Sequence, residues 1–264
     1  MTTRAMTTRA MTPLEGKVVA ITGGSGGIGE ATARMAHAQG ASVVITDLEA
    51  GAVEGIADSL GDRAAALAVD VTRREDNERM VATALEKFGR LDAVFLNAGI
   101  EGEVGPFDSR SDAAWDKVFA VNVAGVRFGT EAALPALRKA GGGSIVITSS
   151  VAGLRGAAGL SPYVSSKHAV VGMMRCLAAE LGPEKIRVNT LNPGPVDNRM
   201  MRSIEEQANP GNARDVHDMF AARIPLGRYV TNDECAAMAT FLFSDGAAGC
   251  NGNTYLVDGG YCAQ

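Results

Sequence analysis

Thr22-Gly23-Gly24-Ser25-Gly26-Gly27-Ile28-Gly29 stands between an apolar run, Lys17–Thr22, and an Ala-rich stretch, Ile28–Gly40. The first reads as a short strand and the second as a helix, so the glycines form a strand-to-helix turn. Glycines there admit positive φ and let a backbone come close to a phosphate. The helix start then offers free N–H groups and the positive end of its dipole to an anion. Asp47 closes the next apolar run, Ser42–Asp47, 18 residues beyond Gly29. A strand, a glycine turn, a helix and an acid at that distance describe a dinucleotide-binding βαβ unit, with the carboxylate on the adenosine ribose. Asp47 would repel a 2′-phosphate, and neither Ser25 nor Leu48 supplies a cation to offset it, so the pattern favours NAD over NADP. The alternative role for Asp47 is a plain turn cap.

Two competing motifs fail. A phosphate loop of the NTPase type needs a lysine, and none follows Gly29. The run also fits G-x-S-x-G with Ser25 as a nucleophile, but that leaves Asp47 and a later Tyr–Lys pair unexplained.

Outward from this turn the same rhythm continues. Ala64–Asp70, Leu91–Asn97, Ser144–Ser149, Ile186–Leu191 and Thr254–Val257 read as further strands. Unbroken Val, Ile and Leu runs suit strands covered on both faces. Helix-like segments lie between them: Thr72–Phe88, Ser111–Lys139 with a break expected at Pro135, and Ser161–Leu181. Alternation of this kind predicts one α/β domain over residues 13–264, a doubly wound Rossmann-type parallel sheet of about seven strands with helices on both faces. The charged, Met-rich stretch 195–225 interrupts the rhythm and reads as a substrate lid, with a variable surface loop as the alternative. Met200, Met201 and Met219 would line an apolar pocket or simply pack.

With 264 residues, 46% hydrophobic and 21% charged, the chain is globular in composition, and its net charge of -5 gives no nucleic-acid footprint. Residues 1–12 repeat Met-Thr-Thr-Arg-Ala and read as a disordered leader without the apolar core of a secretion signal. No run reaches transmembrane length, so a soluble cytoplasmic protein is expected. Cys176, Cys235, Cys250 and Cys262 read as buried free thiols, and His37, His168 and His217 lack zinc-ligand spacing, so no metal is expected.

Tyr163 and Lys167 are four residues apart in a predicted helix and share a face. Ser161 and Pro162 suit its N-cap and first position. A neighbouring ammonium favours a phenolate, so the pair predicts a tyrosine tuned for acid/base work. Ser150 stands 13 residues earlier, at the end of the fifth strand, where open α/β sheets bind ligands. Ser149 competes with it. His168 reads as a packed helix residue, and Trp115 and Phe119 as core or subunit contacts.

These residues, in this order, resemble the short-chain dehydrogenase/reductase family over Leu14 to Gly260. The resemblance rests on Thr22, Gly23, Gly27 and Gly29 of the glycine motif, on Asp70-Val71, on Asn97-Ala98-Gly99, on Asn122, Ser150, Tyr163 and Lys167, and on Asn192-Pro193-Gly194. It implies hydride transfer between a nicotinamide and a secondary alcohol or ketone. Tyr163 would exchange the proton, Ser150 orient the oxygen, Lys167 hold the nicotinamide ribose, and Asn122 help hold a water linking Lys167 to solvent. Ser25, Gly26, Ile28, Asp47, Leu48 and Val196 would complete the NAD site. The resemblance also implies a homotetramer. Gly99-Ile100-Glu101-Gly102 is similar to reductases of cyclic ketones. Leu96 replaces a usual Asn, and Asn198 stands where a Thr near the carboxamide is usual. The competing reading is a regulatory or scaffold protein that binds NAD without turnover.

Overall fold

The computed structural model describes residues 13–263; the expected leader, 1–12, lies outside them. Among the described residues seven strands form one parallel sheet: β1 (Val18–Thr22), β2 (Ser42–Asp47), β3 (Ala64–Ala68), β4 (Ala93–Leu96), β5 (Gly143–Thr148), β6 (Ile186–Pro193) and β7 (Thr254–Val257). Their order is β3-β2-β1-β4-β5-β6-β7. The chain winds outward from β1 to β3, then crosses back to β4 and winds the other way. The crevice between β1 and β4 is therefore the topological switch point, where such sheets bind ligands.

The strands lack polar alternation because both of their faces are covered. Ala20, Val94, Ile145 and Val188 pack under helices α3 (Arg74–Phe88), α5 (Gly125–Ala140) and α6 (Ser161–Leu181). Val19, Ile21, Phe95 and Val146 face α1 (Gly27–Ala38), α2 (Ala50–Leu60) and α9 (Asn232–Phe243). Each core is thus one half of the same apolar strands, separated by the two-residue side-chain period.

Three local expectations need correction. Pro135 does not break its helix: α5 runs through it, because its side chain is exposed and solvent can serve the carbonyl its ring leaves unbonded. The irregularity falls earlier, in a π-helical turn over Ala120–Ala124, between α4 (Asp112–Phe119) and α5. Ser161 is the first residue of α6 rather than its cap, since Leu160 takes the cap position without a side-chain bond. Stretch 195–225 is largely helical, holding α7 (Arg199–Ala208) and α8 (Ala213–Ala222). All four cysteines are free, but only Cys235 is buried; Cys176 is exposed. No helix among the described residues is long and apolar enough to cross a membrane.

Candidate active site

A cleft of about 1260 Å³ runs along the carboxyl ends of the strands. At one end the glycine turn is built so tightly that side chains are excluded. A Cβ on Gly29 would lie 2.0 Å from the Gly23 carbonyl oxygen, and one on Gly24 would lie 2.3 Å from Ile45. Gly23 itself has φ +66°, which glycine adopts at little cost. Thr22 Oγ1 fixes the floor of this turn by accepting from the backbone N–H groups of Asn97 (3.0 Å) and Ala98 (3.1 Å). Asn97 Nδ2 in turn donates to the Gly23 carbonyl at 3.1 Å. The result is a backbone cradle at a helix start, shaped for the pyrophosphate of a dinucleotide.

Asp47 stands beside it. Its carboxylate accepts from Ser25 N (3.0 Å), Ser25 Oγ (2.6 Å) and Leu48 N (2.8 Å). Ser25, Gly26, Gly27, Ile28, Leu48, Asp70, Val71, Asn97, Ala98, Gly99, Pro193, Gly194 and Val196 all line the cleft. Gly29 does not; it sits behind the cradle as the close helix–strand contact. One Asp70 oxygen is held by Thr72 N (2.9 Å) and Thr72 Oγ1 (2.7 Å).

The other end gathers the polar side chains. Ser150, just past β5, accepts from Ala152 N at 3.1 Å and reaches the Pro193 carbonyl at 3.5 Å, and it stands close enough to the Tyr163 hydroxyl to favour the phenolate. The competing Ser149 turns its hydroxyl to the Lys167 carbonyl, donating at 3.0 Å. Lys167 Nζ lies 5.5 Å from the centre of the Tyr163 ring and donates to the Thr148 carbonyl at 2.8 Å. Asn122 sits in the π turn and lies outside the cleft lining. Its amide exchanges two 2.9 Å bonds with the backbone of Ile100 and donates to Ser166 Oγ at 3.0 Å. Ser166 then donates to the Tyr163 carbonyl at 2.7 Å. Asn122 thus ties the turn after β4 to the first turns of α6.

The electrostatics reverse one expectation. Tyr163 is pushed up to about 12, chiefly because burial disfavours the phenolate; the Ser150 bond works against this, and the Glu101 carboxylate adds to it. Lys167 is pulled down to about 8 by burial. The lysine lies near the phenol as expected, but both groups are taken out of water, and burial disfavours the charged form of each. Tyr163 is accordingly a protonated donor in this state.

Met200, Met201 and Met219 all line the cleft. The Tyr163 ring belongs to an apolar cluster with Ala152, Leu160, Ile204, Val104, Met200 and Met201. Asn198 caps α7, accepting from Met201 N at 3.2 Å, and lines the cleft as well. Leu96, in place of the usual Asn, is buried packing. His168 bonds only its own helix, at the Val164 carbonyl (2.9 Å). Sequence reasoning missed Thr148, Glu101, Arg155 and Tyr261. Thr148 offers a backbone carbonyl, which no residue type announces. Arg155 is held at the cleft by Tyr261, donating to its carbonyl at 2.8 Å and lying 4.9 Å from its ring centre.

A family model described as enoyl-(acyl carrier protein) reductase matches residues 23–262. Levodione reductase of Leifsonia aquatica is 37% identical over 252 residues, covering 94% of each chain. Cyclohexanol dehydrogenase of Acinetobacter sp. (strain SE19) is 36% identical, covering 94% of this chain and 96% of that one. A crystal structure of levodione reductase superposes with a TM-score of 0.91 at 36% identity, covering 94% of this chain and 98% of that one. A 3-ketoacyl-(acyl-carrier-protein) reductase from Brucella melitensis, complexed with NADH, superposes at 0.86 with 33% identity, covering 94% of this chain and 99% of that one. The chain belongs to the short-chain dehydrogenase/reductase family; the relatives named are dehydrogenases and reductases of alcohols and ketones, and one solved neighbour holds NADH.

Proposed function

We propose that this chain is an NAD-linked dehydrogenase/reductase that interconverts a secondary alcohol and a ketone on an alicyclic or otherwise bulky apolar substrate. The observation that carries the reading is the convergence of Ser150, Tyr163 and Lys167 at one end of a cleft whose other end is a side-chain-free cradle beside Asp47. The cradle residues fit a dinucleotide: the glycine turn would hold the pyrophosphate, Asp47 the adenosine ribose and Lys167 the nicotinamide ribose. When bound, the nicotinamide would supply the hydride or accept it.

The protein's own work is positional and protonic. Tyr163 Oη holds the proton that a ketone oxygen needs on reduction, and its raised pKa keeps that proton in place until charge develops on the oxygen. Ser150 Oγ offers a second donor to the same oxygen. In the oxidation direction Tyr163 acts as the base, taking the alcohol proton as the ketone forms. Asn122 fixes the backbone on which Tyr163 and the turn at Ile100 rest, and its place beside Lys167 suits the water link to solvent. The wall of Val104, Leu160, Met200, Met201 and Ile204 excludes water and suits an apolar ring, and the relatives named for cyclic substrates agree with this.

Stretch 195–225 acts as the lid, with α7 and α8 contributing cleft-lining residues. The preference for NAD is supported by the position of Asp47. The cations that line the cleft among the described residues, Lys117, Arg155, Lys167, Arg199 and Arg223, all come from beyond β4, not from the strands around Asp47. The protein works as a homotetramer in the cytoplasm, a reading supported by exposed apolar side chains on two separate faces and by four unpaired cysteines.

The test is absorbance at 340 nm with NAD or NADH against cyclohexanol, butane-2,3-diol, 1-phenylethanol and the matching ketones. Turnover is expected with NAD, and Tyr163→Phe is expected to lower kcat at least about a thousandfold with NADH binding intact. NADH binding without turnover on any of them would favour the regulatory or scaffold reading.

A further inference from the structure

The segment after β4 carries an arrangement that neither hydride chemistry nor dinucleotide binding requires. Arg110, just before α4, meets no carboxylate; its guanidinium is spent on backbone carbonyls. Nε donates to Glu103 (2.9 Å), Nη1 to Pro106 (2.8 Å), and Nη2 to Gly105 (2.6 Å) and to Gly159. Gly159 also accepts from Gly105 N at 3.0 Å. The loop 103–106 is thereby joined to the loop just before α6, and each carries a side chain of the substrate wall, Val104 on one and Leu160 on the other.

The same loop is held from the opposite side by α7. Gln207 Oε1 accepts from Val104 N at 3.1 Å, and Gln207 Nε2 reaches the Gly102 carbonyl at 3.5 Å. A side-chain amide here imitates a neighbouring strand. It pairs with one N–H and one C=O of an otherwise unpaired backbone. Ile204, one turn earlier on α7, lies in the apolar cluster with Tyr163.

We propose that Arg110 and Gln207 are positioning residues that set substrate selectivity. Arg110 makes the Val104–Leu160 wall rigid, and Gln207 docks the lid helix α7 onto that wall, so the lid closes against a fixed surface. The proposal rests on the oxidoreductase reading for its kinetic consequence but not for its structural one. Arginine is required because its planar fork reaches several carbonyls at once, whereas a lysine ammonium is a point donor.

Steady-state kinetics of Gln207→Ala, Arg110→Lys and the double variant with cyclohexanone and NADH, alongside trypsin digestion, test it. Each single change is expected to raise KM about 3- to 10-fold, the loss of one or two ordinary hydrogen bonds, with kcat within about twofold and NADH affinity unchanged. The double variant should show less than the product of the two effects, because both act through one wall. Gln207→Glu, which keeps the acceptor for Val104 N–H, should recover part of the loss. Trypsin should cut after Arg199 and Arg202 several-fold faster in Gln207→Ala. Wild-type KM with wild-type cleavage in Gln207→Ala, or fully multiplicative losses, would overturn the proposal. If Arg110→Lys fails to fold, Gln207→Ala and Gln207→Glu decide. If the wild-type protein turns over no ketone, the oxidoreductase reading falls, while the digestion still decides whether Gln207 holds α7.

Discussion

A buried ammonium is an expensive choice for a protein, and Lys167 shows what it does to stability. Its ordinary value of 10.5 falls to about 8 in the fold. Between those pH values the unfolded chain holds a proton that the folded chain releases, so stability rises with pH across that window. Below about pH 8 both states are protonated and the whole penalty remains. Lys167→Met is therefore expected to stabilise the protein at pH 7, by up to about 3 kcal/mol, and to remove that slope while removing turnover. Urea denaturation of both proteins at pH 7 and pH 10 measures this; identical pH dependence would refute the burial argument. Asp47 belongs to the same scale. Ser25 already occupies its outer oxygen, so the carboxylate is pre-oriented across the mouth of the cradle. Asp47→Ala is expected to lower the NAD-over-NADP ratio of kcat/KM at least about tenfold, and an unchanged ratio would count against the ribose role. Of the single residues, the glycine turn, Asp47, Ser150 and the Tyr163–Lys167 spacing were legible in the sequence because each carries its chemistry locally. The direction of the Tyr163 shift was not, since it depends on how much water three-dimensional packing removes.

Elements were legible wherever the pattern was strong. Each of the seven predicted strands has its counterpart, because strands covered on both faces must be apolar throughout and few other segments are. What escaped prediction was the treatment of exceptions. Pro135 looks like a stop, yet α5 continues through it. The helix is held on its buried side by Ala133, Ala136 and Leu137, and this packing outweighs a missing bond on the wet side. Pro135→Ala restores one donor and relieves the ring clash, while giving back some unfolded-chain entropy. The net expectation is a stabilisation of about 1–2 kcal/mol, with no change in KM or kcat. A lower denaturation midpoint would show that the proline ring is part of the packing. The π turn at Ala120–Ala124 left no mark that spacing could reveal; its Asn122 was identified only through family resemblance, and Gln207 and Arg110 by nothing at all. Their partners are backbone groups of other segments, which exist as neighbours only after folding.

At the scale of the whole molecule, exposed apolar side chains gather in two notable places among the described residues. Phe107, 71% exposed, stands against Trp115, which stacks on Phe119 at 6.2 Å. On another face Leu226, Phe241 and Leu256 surround a shallow groove between α9 and the edge strand β7. An uncovered edge strand with apolar neighbours is a surface that soluble proteins bury. If the proposed tetramer uses this groove, Phe241→Asp combined with Leu256→Asp is expected to give a smaller species by light scattering, with the protein still folded. A wild-type monomer at micromolar concentration would remove the tetramer reading. A last consequence concerns timing. Because all strands point one way, the chain returns to the same rim after every crossover and finishes it only at β7 and Tyr261. A ribosome-bound chain consequently displays a glycine cradle long before it owns a wall opposite. A dinucleotide that touches both walls would bind the finished fold alone, so NADH is expected to raise the urea midpoint of the folded protein.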